Sequence, residues 1–241
     1  MNISDYNSLK NSDEQHFWYK ARKVLIDRLL GLYLKEDDGR EILNIGAGLG
    51  TEAEILKKYG RVTALDKDPE TVALSDRSGI RTVLGDIEEV EPEKNKYDCV
   101  CCFDILEHLR DDRAALKKIY RALPPGGYLF FTAPAYGFLW SGHDLVTGHK
   151  RRYTQGGVKK LLNEAGFEIP LIGYWNSLLL LPVMIYRLAK RAAGLAPKTD
   201  ARPLPRILNR LLFLVLNLEN NFIGQSIPFG LSIYGTARKK I

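Results

Sequence analysis

The 241-residue sequence predicts an α/β fold with a doubly wound, mostly parallel sheet. Three observations lead there. An apolar run, Ile42, Leu43 and Ile45, breaks into Gly46-Ala47-Gly48-Leu49-Gly50 and resumes at helical spacing with Ala53, Ile55 and Leu56. Further apolar strand segments then alternate with helical ones. Finally, the length suits one such domain with additions, and 45% apolar with 27% charged residues is ordinary for a globular protein.

Each element follows in order. An aromatic and basic helix is expected over residues 13–34, carrying His16-Phe17-Trp18-Tyr19, Arg22 and Lys23, and it packs its aromatics on the sheet. Strand, glycine turn and helix over 41–56 open a nucleotide-binding unit, because a side chain at the glycines would keep the backbone from closing on a ligand. The dinucleotide spacing G-x-G-x-x-G would need glycine at position 51, which is Thr51, so the turn reads G-x-G-x-G. A second strand ends at Asp66-Lys67, and a third unit presents Asp86-Ile87. The fourth strand leads into Phe103-Asp104-Ile105-Leu106-Glu107-His108, followed by a helix over 111–123. Pro124-Pro125-Gly126-Gly127 then introduces a fifth strand at 128–134. A helix over 154–167 and strands over 168–175 and 231–239 complete the core. The three cysteines share the fourth strand, Cys99 and Cys101 on one face and Cys102 on the other, which suits packing rather than a disulfide framework and fits a reducing cytoplasm.

These motifs, in this order over 41–134, resemble the class I S-adenosylmethionine-dependent methyltransferases. The resemblance implies a Rossmann-like sheet of seven strands whose last strand is antiparallel. It implies S-adenosyl-L-methionine as cofactor, cradled by Gly46, Ala47, Gly48 and Gly50. In that family an acidic residue at the place of Asp66, here followed by Lys67, binds both ribose hydroxyls. The acidic residue at the place of Asp86 binds the adenine amine, and the apolar neighbour, Ile87, packs on the ring. The segment holding Phe103, Asp104 and His108 borders the same ligand. N-terminal helices of the family often cover the cofactor, which makes Phe17, Trp18 and Arg22 cap candidates.

The loop 135–154 follows the fifth strand and lies beside the methyl group in this fold. Methyl transfer is an in-line displacement needing alignment and a dry pocket, and an oxygen acceptor also needs a base. His143, Asp144, His149, Arg152 and Tyr153 are the candidate catalytic residues, with Trp140 and Arg151 toward the substrate. The run W-S-x-H-D-x-x-x-G-H-x-R-R-Y is similar to a methyltransferase subgroup often associated with glycan or lipid-linked pathways. Either histidine could instead only bond loop backbone, and Lys150-Arg151-Arg152 could be a solvated or phosphate-facing run. No metal is expected, although His143, Asp144 and His149 are suitable ligand types.

The chain divides into an N-terminal helical cap (1–40), a cofactor-binding core (41–175), an apolar and basic helical insertion between the sixth and seventh strands (176–229) and a final core strand (230–241). The insertion predicts two helices, 178–188 and 206–222. On the second, Ile207, Leu211, Leu214, Val215 and Leu218 share one side, while Asn209, Asn217 and Asn220 lie opposite with Phe213 among them. Arg187, Lys190, Arg191, Lys198 and Arg202 are offset between the helices only by Asp200. Such helices pack on the domain or a second subunit, or lie at a membrane surface, or cover a lipid-like acceptor. A cytoplasmic monomer or homodimer, peripheral at the inner membrane face, is therefore expected. There is no apolar signal-peptide core and no run near the ~20 residues that cross a bilayer. The +6 net charge permits an anionic acceptor without demanding one.

The expected activity is methyl transfer to an O or N nucleophile of a small-molecule, glycan or lipid-linked acceptor. An NAD-dependent oxidoreductase is the alternative favoured by Asp66 and opposed by Thr51; a non-catalytic membrane-associated module of the same fold is the other. Nucleic acid is not an expected partner, because Thr132-Ala133-Pro134 stands where amino-methylating nucleic-acid enzymes carry Asn-Pro-Pro-Tyr.

Overall fold

Seven strands form one sheet: β1 (Glu41–Ile45), β2 (Arg61–Asp66), β3 (Arg81–Leu84), β4 (Cys99–Phe103), β5 (Tyr128–Pro134), β6 (Phe167–Trp175) and β7 (Ser232–Lys239). The computed structural model describes residues 15–36, 39–46, 48, 50–77, 80–193, 204–225 and 227–241. The strand order is β3-β2-β1-β4-β5-β7-β6. Only β7 runs antiparallel to its neighbours, as the sequence predicts. Because β1 to β6 all point one way, their C-terminal ends share one edge, the edge where doubly wound sheets bind ligands.

The period-two alternation of the strands divides the core into two layers. Leu43, Ile45, Val100 and Cys102 face one side, where helices α4 (Asp112–Ala122) and α6 (Gln155–Glu164) cover them. Ile42, Cys99, Cys101 and Phe130 face the other, covered by α1 (Phe17–Gly31) through Leu25, Ile26, Leu29 and Leu30. All three cysteines are buried and free, split between the faces as the alternation requires. Short helices α2 (Ala53–Leu56), α3 (Pro69–Arg77) and α5 (Gly142–Thr147) complete the core.

The insertion forms α7 (Leu180–Ala192) and α8 (Arg206–Glu219), the latter continuing into a 3₁₀ turn at Asn220–Phe222. Lys198, Asp200 and Arg202 lie outside the described residues, as do Asp13 and Ala47. The packing of α8 reverses what an amphipathic helix ordinarily does. Its polar side faces inward. Asn209 accepts from the Phe17 N–H and donates to the Gln15 carbonyl, both at 2.8 Å. Asn220 accepts from the Trp175 indole and donates to the Ala21 carbonyl, both at 2.9 Å. Phe213, the apolar residue among the asparagines, packs there on the α1 side of the core, beside fully buried Leu216. The apolar arc is left outside, with Ile207 78%, Leu211 54%, Leu214 51% and Leu218 58% exposed. The physical reason is that the asparagines accept from donors the helix ladder leaves open, the Phe17 N–H at the start of α1 and the Trp175 indole.

Candidate active site

A cavity of about 770 Å³ opens at the C-terminal edge of the sheet, with Gly46, Phe103, Asp104, Pro134 and Asn176 among the strand-end residues that line it. Asp104 and Asn176 follow β4 and β6 at φ +54° and +64°, a left-handed conformation that is uncommon for side-chain-bearing residues and clusters at ligand sites. Six buried side-chain atoms among the described residues lack a hydrogen-bond partner, and four belong to cavity residues: His16 Nε2, both Glu107 oxygens and Asn176 Oδ1. Buried polar groups are otherwise almost always paired, and four of the six exceptions among the described residues gather at this cavity.

At one end the glycine turn leaves β1 with Gly46 at φ +72° and Gly48 at φ +51°. A Cβ on Gly46 would stand 1.9 Å from Ile105 Cδ1, so the turn can close against the post-β4 segment only without one. The Gly48 N–H donates to Asp66 Oδ2 at 3.0 Å, and the Asp68 N–H donates to Oδ1 at 2.9 Å. A carboxylate offers about four acceptor positions, so Asp66 keeps capacity for two hydroxyls. Asp66, Lys67, Asp86 and Ile87 lie beyond the cavity lining. Lys67 Nζ is 3.9 Å from Asp86. Ile87 is buried in the core rather than presented on an open face. Above the turn, Arg22 of α1 pairs with Glu52, donates to Asp104 at 2.8 Å and to the Phe103 carbonyl at 3.2 Å, and lies 5.3 Å from the Trp18 ring centroid. Phe17, Trp18 and Arg22 all line the cavity, so the helical cap and the post-β4 segment meet at one wall.

At the other end Asp144 is the organising group. Ser141 opens α5, donating its N–H to Asp144 Oδ2 at 2.7 Å while its hydroxyl accepts from the His143 N–H. Arg152 grips the same carboxylate in bidentate fashion, Nε to Oδ1 at 2.7 Å and Nη2 to Oδ2 at 3.0 Å. His149 Nδ1 lies 2.8 Å from Oδ1. Burial alone would raise the Asp144 carboxyl, but the bonds from His149 and Arg152 hold it well below the usual range. An ionised carboxylate only accepts, so His149 Nδ1 carries the proton toward Asp144 and Nε2 is the ring nitrogen on the Glu107 side. That Nε2 is 3.9 Å from Glu107 Oε1. Burial, then the charge of Asp104, pushes the Glu107 carboxyl well above its ordinary value. Burial, then neighbouring His149, lowers His108, whose ring meets His149 edge-on at 4.8 Å.

The cavity joins several expected residues and leaves others out. His143, His149, Arg152, His108, Phe103 and Asp104 line it. Tyr153 does not: its buried hydroxyl donates toward the Leu106 carbonyl and Asp112, bracing the loop. Arg151 turns to Asp112 and the Arg110 carbonyl, and Trp140 lines a separate small hollow with Phe138 and Met184. Arg152 lines the cavity, yet its Nε, Nη1 and Nη2 bond Asp144 and the Ala135 carbonyl, so it serves as a brace rather than a grip for substrate. The sequence considered His143, Asp144 and His149 as metal ligand types. In the fold, Asp144 is held by Arg152, and among the described residues Glu107, His108 and His149 are the groups whose ligand atoms lie within 4.8 Å of one another. Glu52, Asn176 and Val183 of α7 are lining residues that the sequence did not single out, and His16 and Arg187 of α7 were named only for their helices, not for the site. No local pattern marks them except the conjunction of His16 with the helix start.

The methyltransferase domain family model matches residues 17–170, well over half of the chain, across every motif just placed. This chain belongs to that methyltransferase family. A curated relative from Mycolicibacterium smegmatis, named a probable S-adenosylmethionine-dependent methyltransferase, is 30% identical over 161 residues, covering 65% of this chain and 61% of that protein. A ubiquinone biosynthesis O-methyltransferase from Coxiella burnetii is 28% identical, over 54% of this chain and 62% of its own length. The matched region thus spans about three-fifths of these relatives. Among solved structures, phosphoethanolamine N-methyltransferase 2 of Haemonchus contortus, in complex with S-adenosyl-L-methionine, superposes with a TM-score of 0.58 at 19% identity, over 89% of this chain and 52% of that one. The methyltransferase partner of the Trm112 activator from Haloferax volcanii gives 0.63 at 13%, over 99% and 95%. Structures this distant share the methyltransferase fold. The family's cofactor is S-adenosylmethionine, and the chain's own residues suit it: a glycine turn that admits no Cβ at Gly46, an acidic strand end at Asp66 and unpartnered polar atoms in the adjoining cavity.

Proposed function

We propose that this methyltransferase transfers a methyl group to an oxygen nucleophile of a small-molecule or lipid-linked acceptor, with His149 as general base and Asp144 as its orienting partner. The observation that carries the proposal is the Asp144–His149 contact of 2.8 Å on the same cavity as the glycine turn. When bound, S-adenosylmethionine supplies an electrophilic methyl group and needs no activation by the protein. Gly46, Gly48, Asp66 and Asp86 would hold it. Phe17, Trp18 and Arg22 cover the wall between them and exclude water. His149 Nε2 takes the acceptor proton while Asp144 steadies the resulting imidazolium. The name of the Coxiella relatives, O-methyltransferase, supports an oxygen acceptor. The lining of Leu179, Val183, Leu204 and Leu212 supports an acceptor with an apolar portion. In this reading residues 1–40 and 176–229 cap the core 41–175, and 230–241 closes its sheet.

Isothermal titration tests the cofactor half directly. S-adenosylmethionine and S-adenosylhomocysteine are expected to bind and NAD to bind far more weakly; tighter NAD binding would overturn the reading. Asp66→Ala should weaken the sulfur ligands by about 1.5–3 kcal/mol for each ribose hydrogen bond lost. The change also removes the acceptor of the Gly48 N–H, so the loss falls on the turn as well as the ribose. Wild-type affinity in Asp66→Ala would place the ribose elsewhere.

A further inference from the structure

We propose that the outward face of α7 and α8 docks on an anionic lipid bilayer. The proposal starts from the reversed packing of α8. Its asparagines hold the polar side against α1 and Trp175, so the exposed apolar stripe of Ile207, Leu211, Leu214 and Leu218 is fixed in place by hydrogen bonds, those of Asn220 buried. On α7, Leu181 and Ile185 are exposed to a similar degree, 60% and 58%. Glu219 ties the helices together by accepting the Ser177 and Leu178 N–H groups, which joins the start of α7 to the end of α8. Large apolar side chains exposed in such number on two neighbouring segments mark an interaction site in an otherwise polar exterior.

Charge identifies the partner. Residues 176–229 hold seven Lys and Arg against Asp200 and Glu219, so this segment carries +5 of the chain's +6 net charge. Glu219 is buried against backbone donors, whereas Arg206 and Arg210 stand exposed on α8 beside the stripe. A second copy docking through the same face would set the exposed Arg206 and Arg210 of both copies against each other, since a two-fold interface pairs a patch with itself. An anionic bilayer offers apolar depth and opposite charge together. Both helices are too short to cross: α8, at 14 residues, is about 21 Å long, against roughly 30 Å of hydrocarbon. No helix among the described residues is long and apolar enough to span a membrane. Docking is therefore interfacial.

The two helices also wall the cavity, through Leu179 before α7, Val183 and Arg187 on α7 and Leu212 on α8. Resting on the methyl-transfer reading above, docking would place the apolar wall of the acceptor space next to the bilayer, where a lipid-linked acceptor is concentrated.

Co-sedimentation of the full chain with phosphatidylcholine–phosphatidylglycerol vesicles, against phosphatidylcholine alone, at low and high salt, tests the docking. Binding is expected to the anionic vesicles, weakened by salt. Arg206→Gln with Arg210→Gln should reduce it about fivefold per charge. Leu211→Ser with Leu214→Ser should reduce it at least about tenfold. S-adenosylhomocysteine affinity, measured alongside, should be unchanged in both variants and shows that they fold. The proposal is overturned if wild-type protein that binds S-adenosylhomocysteine ignores anionic vesicles at low salt, or binds both vesicle types equally whatever the salt. It is also overturned if the leucine variant retains vesicle binding, or if sedimentation velocity shows a dimer that this variant abolishes. Failure of docking leaves methyl transfer to a soluble acceptor intact, whereas failure of the cofactor titration leaves vesicle binding intact, so the two readings fail separately.

Discussion

Replacing His149 with alanine is expected to lower turnover by about 100- to 10,000-fold while leaving S-adenosylhomocysteine affinity within about twofold of wild type. The separation of the two readouts matters, because a residue that only shaped the loop would affect both. Asp144 holds the His149 ring through Nδ1, so the alanine removes the proposed base from the cavity lining without removing the Asp144–Arg152 pair that holds α5 to the strand end. His143 offers the internal control. Its ring stands edge-on to His149 at 5.9 Å, and its backbone N–H caps on Ser141. His143→Ala should cost less than about tenfold if His149 is the base. Near-wild-type turnover in a variant lacking both rings would assign the loop to the scaffold and leave alignment alone to carry the reaction, as it can for an already nucleophilic acceptor.

Asp144→Asn should destabilise the protein by about 3–5 kcal/mol, because it leaves the Arg152 guanidinium, 3% exposed, without its counter-charge. Denaturant titration with unchanged slope measures it. The pH dependence follows from the depressed carboxyl. Stability from Asp144 is fully present above the ordinary aspartate value of about 3.9 and is lost as pH falls through the lower folded value. The asparagine variant should therefore lose less stability than wild type below about pH 4. Glu107 has the opposite sign. Burial raises its folded value, so the native state binds more protons than the unfolded chain, and stability falls as pH rises above the ordinary glutamate range. Glu107→Gln should flatten that fall. An unaltered pH profile in both variants would show that neither carboxyl is linked to folding.

The sheet was legible because each strand carries its own signal: apolar runs of strand length, a glycine turn after the first, and acidic residues closing the second and opening the turn after the third. The antiparallel β7 came through the family resemblance, not through any local pattern, and the strand order came from the structure alone. The glycine turn and the His–Asp–His–Arg loop were legible as chemistry, since those residue types are dense over a short span. Their division of labour was not. Arg152 and Tyr153 look like site residues in a linear reading, yet their polar atoms close on Asp144, Asp112 and backbone carbonyls that only the folded chain brings near. Asn176 was not singled out, and Glu107 stood only as part of the segment after the fourth strand, because burial without a partner is a property of three-dimensional surroundings. For α8, a helical wheel says which residues share a side but not which side packs. Asn209 and Asn220 settle that through bonds to residues almost 200 positions away or across the insertion.

The central strand provides a reporter of a different kind. Cys99, Cys101 and Cys102 lie on β4 between β1 and β5, and no disulfide joins them. Burial raises Cys102 and, with its neighbour Cys99, Cys101, which suppresses the reactive thiolate. A thiol reagent can therefore reach them only when the middle of the sheet opens, not when loops or the insertion fluctuate. Labelling kinetics followed by intact mass would time the global opening of the native protein without denaturant. All three sulfurs should react together, as one cooperative event. Protection should deepen with the logarithm of cofactor concentration, since a ligand of the folded state lowers the open population.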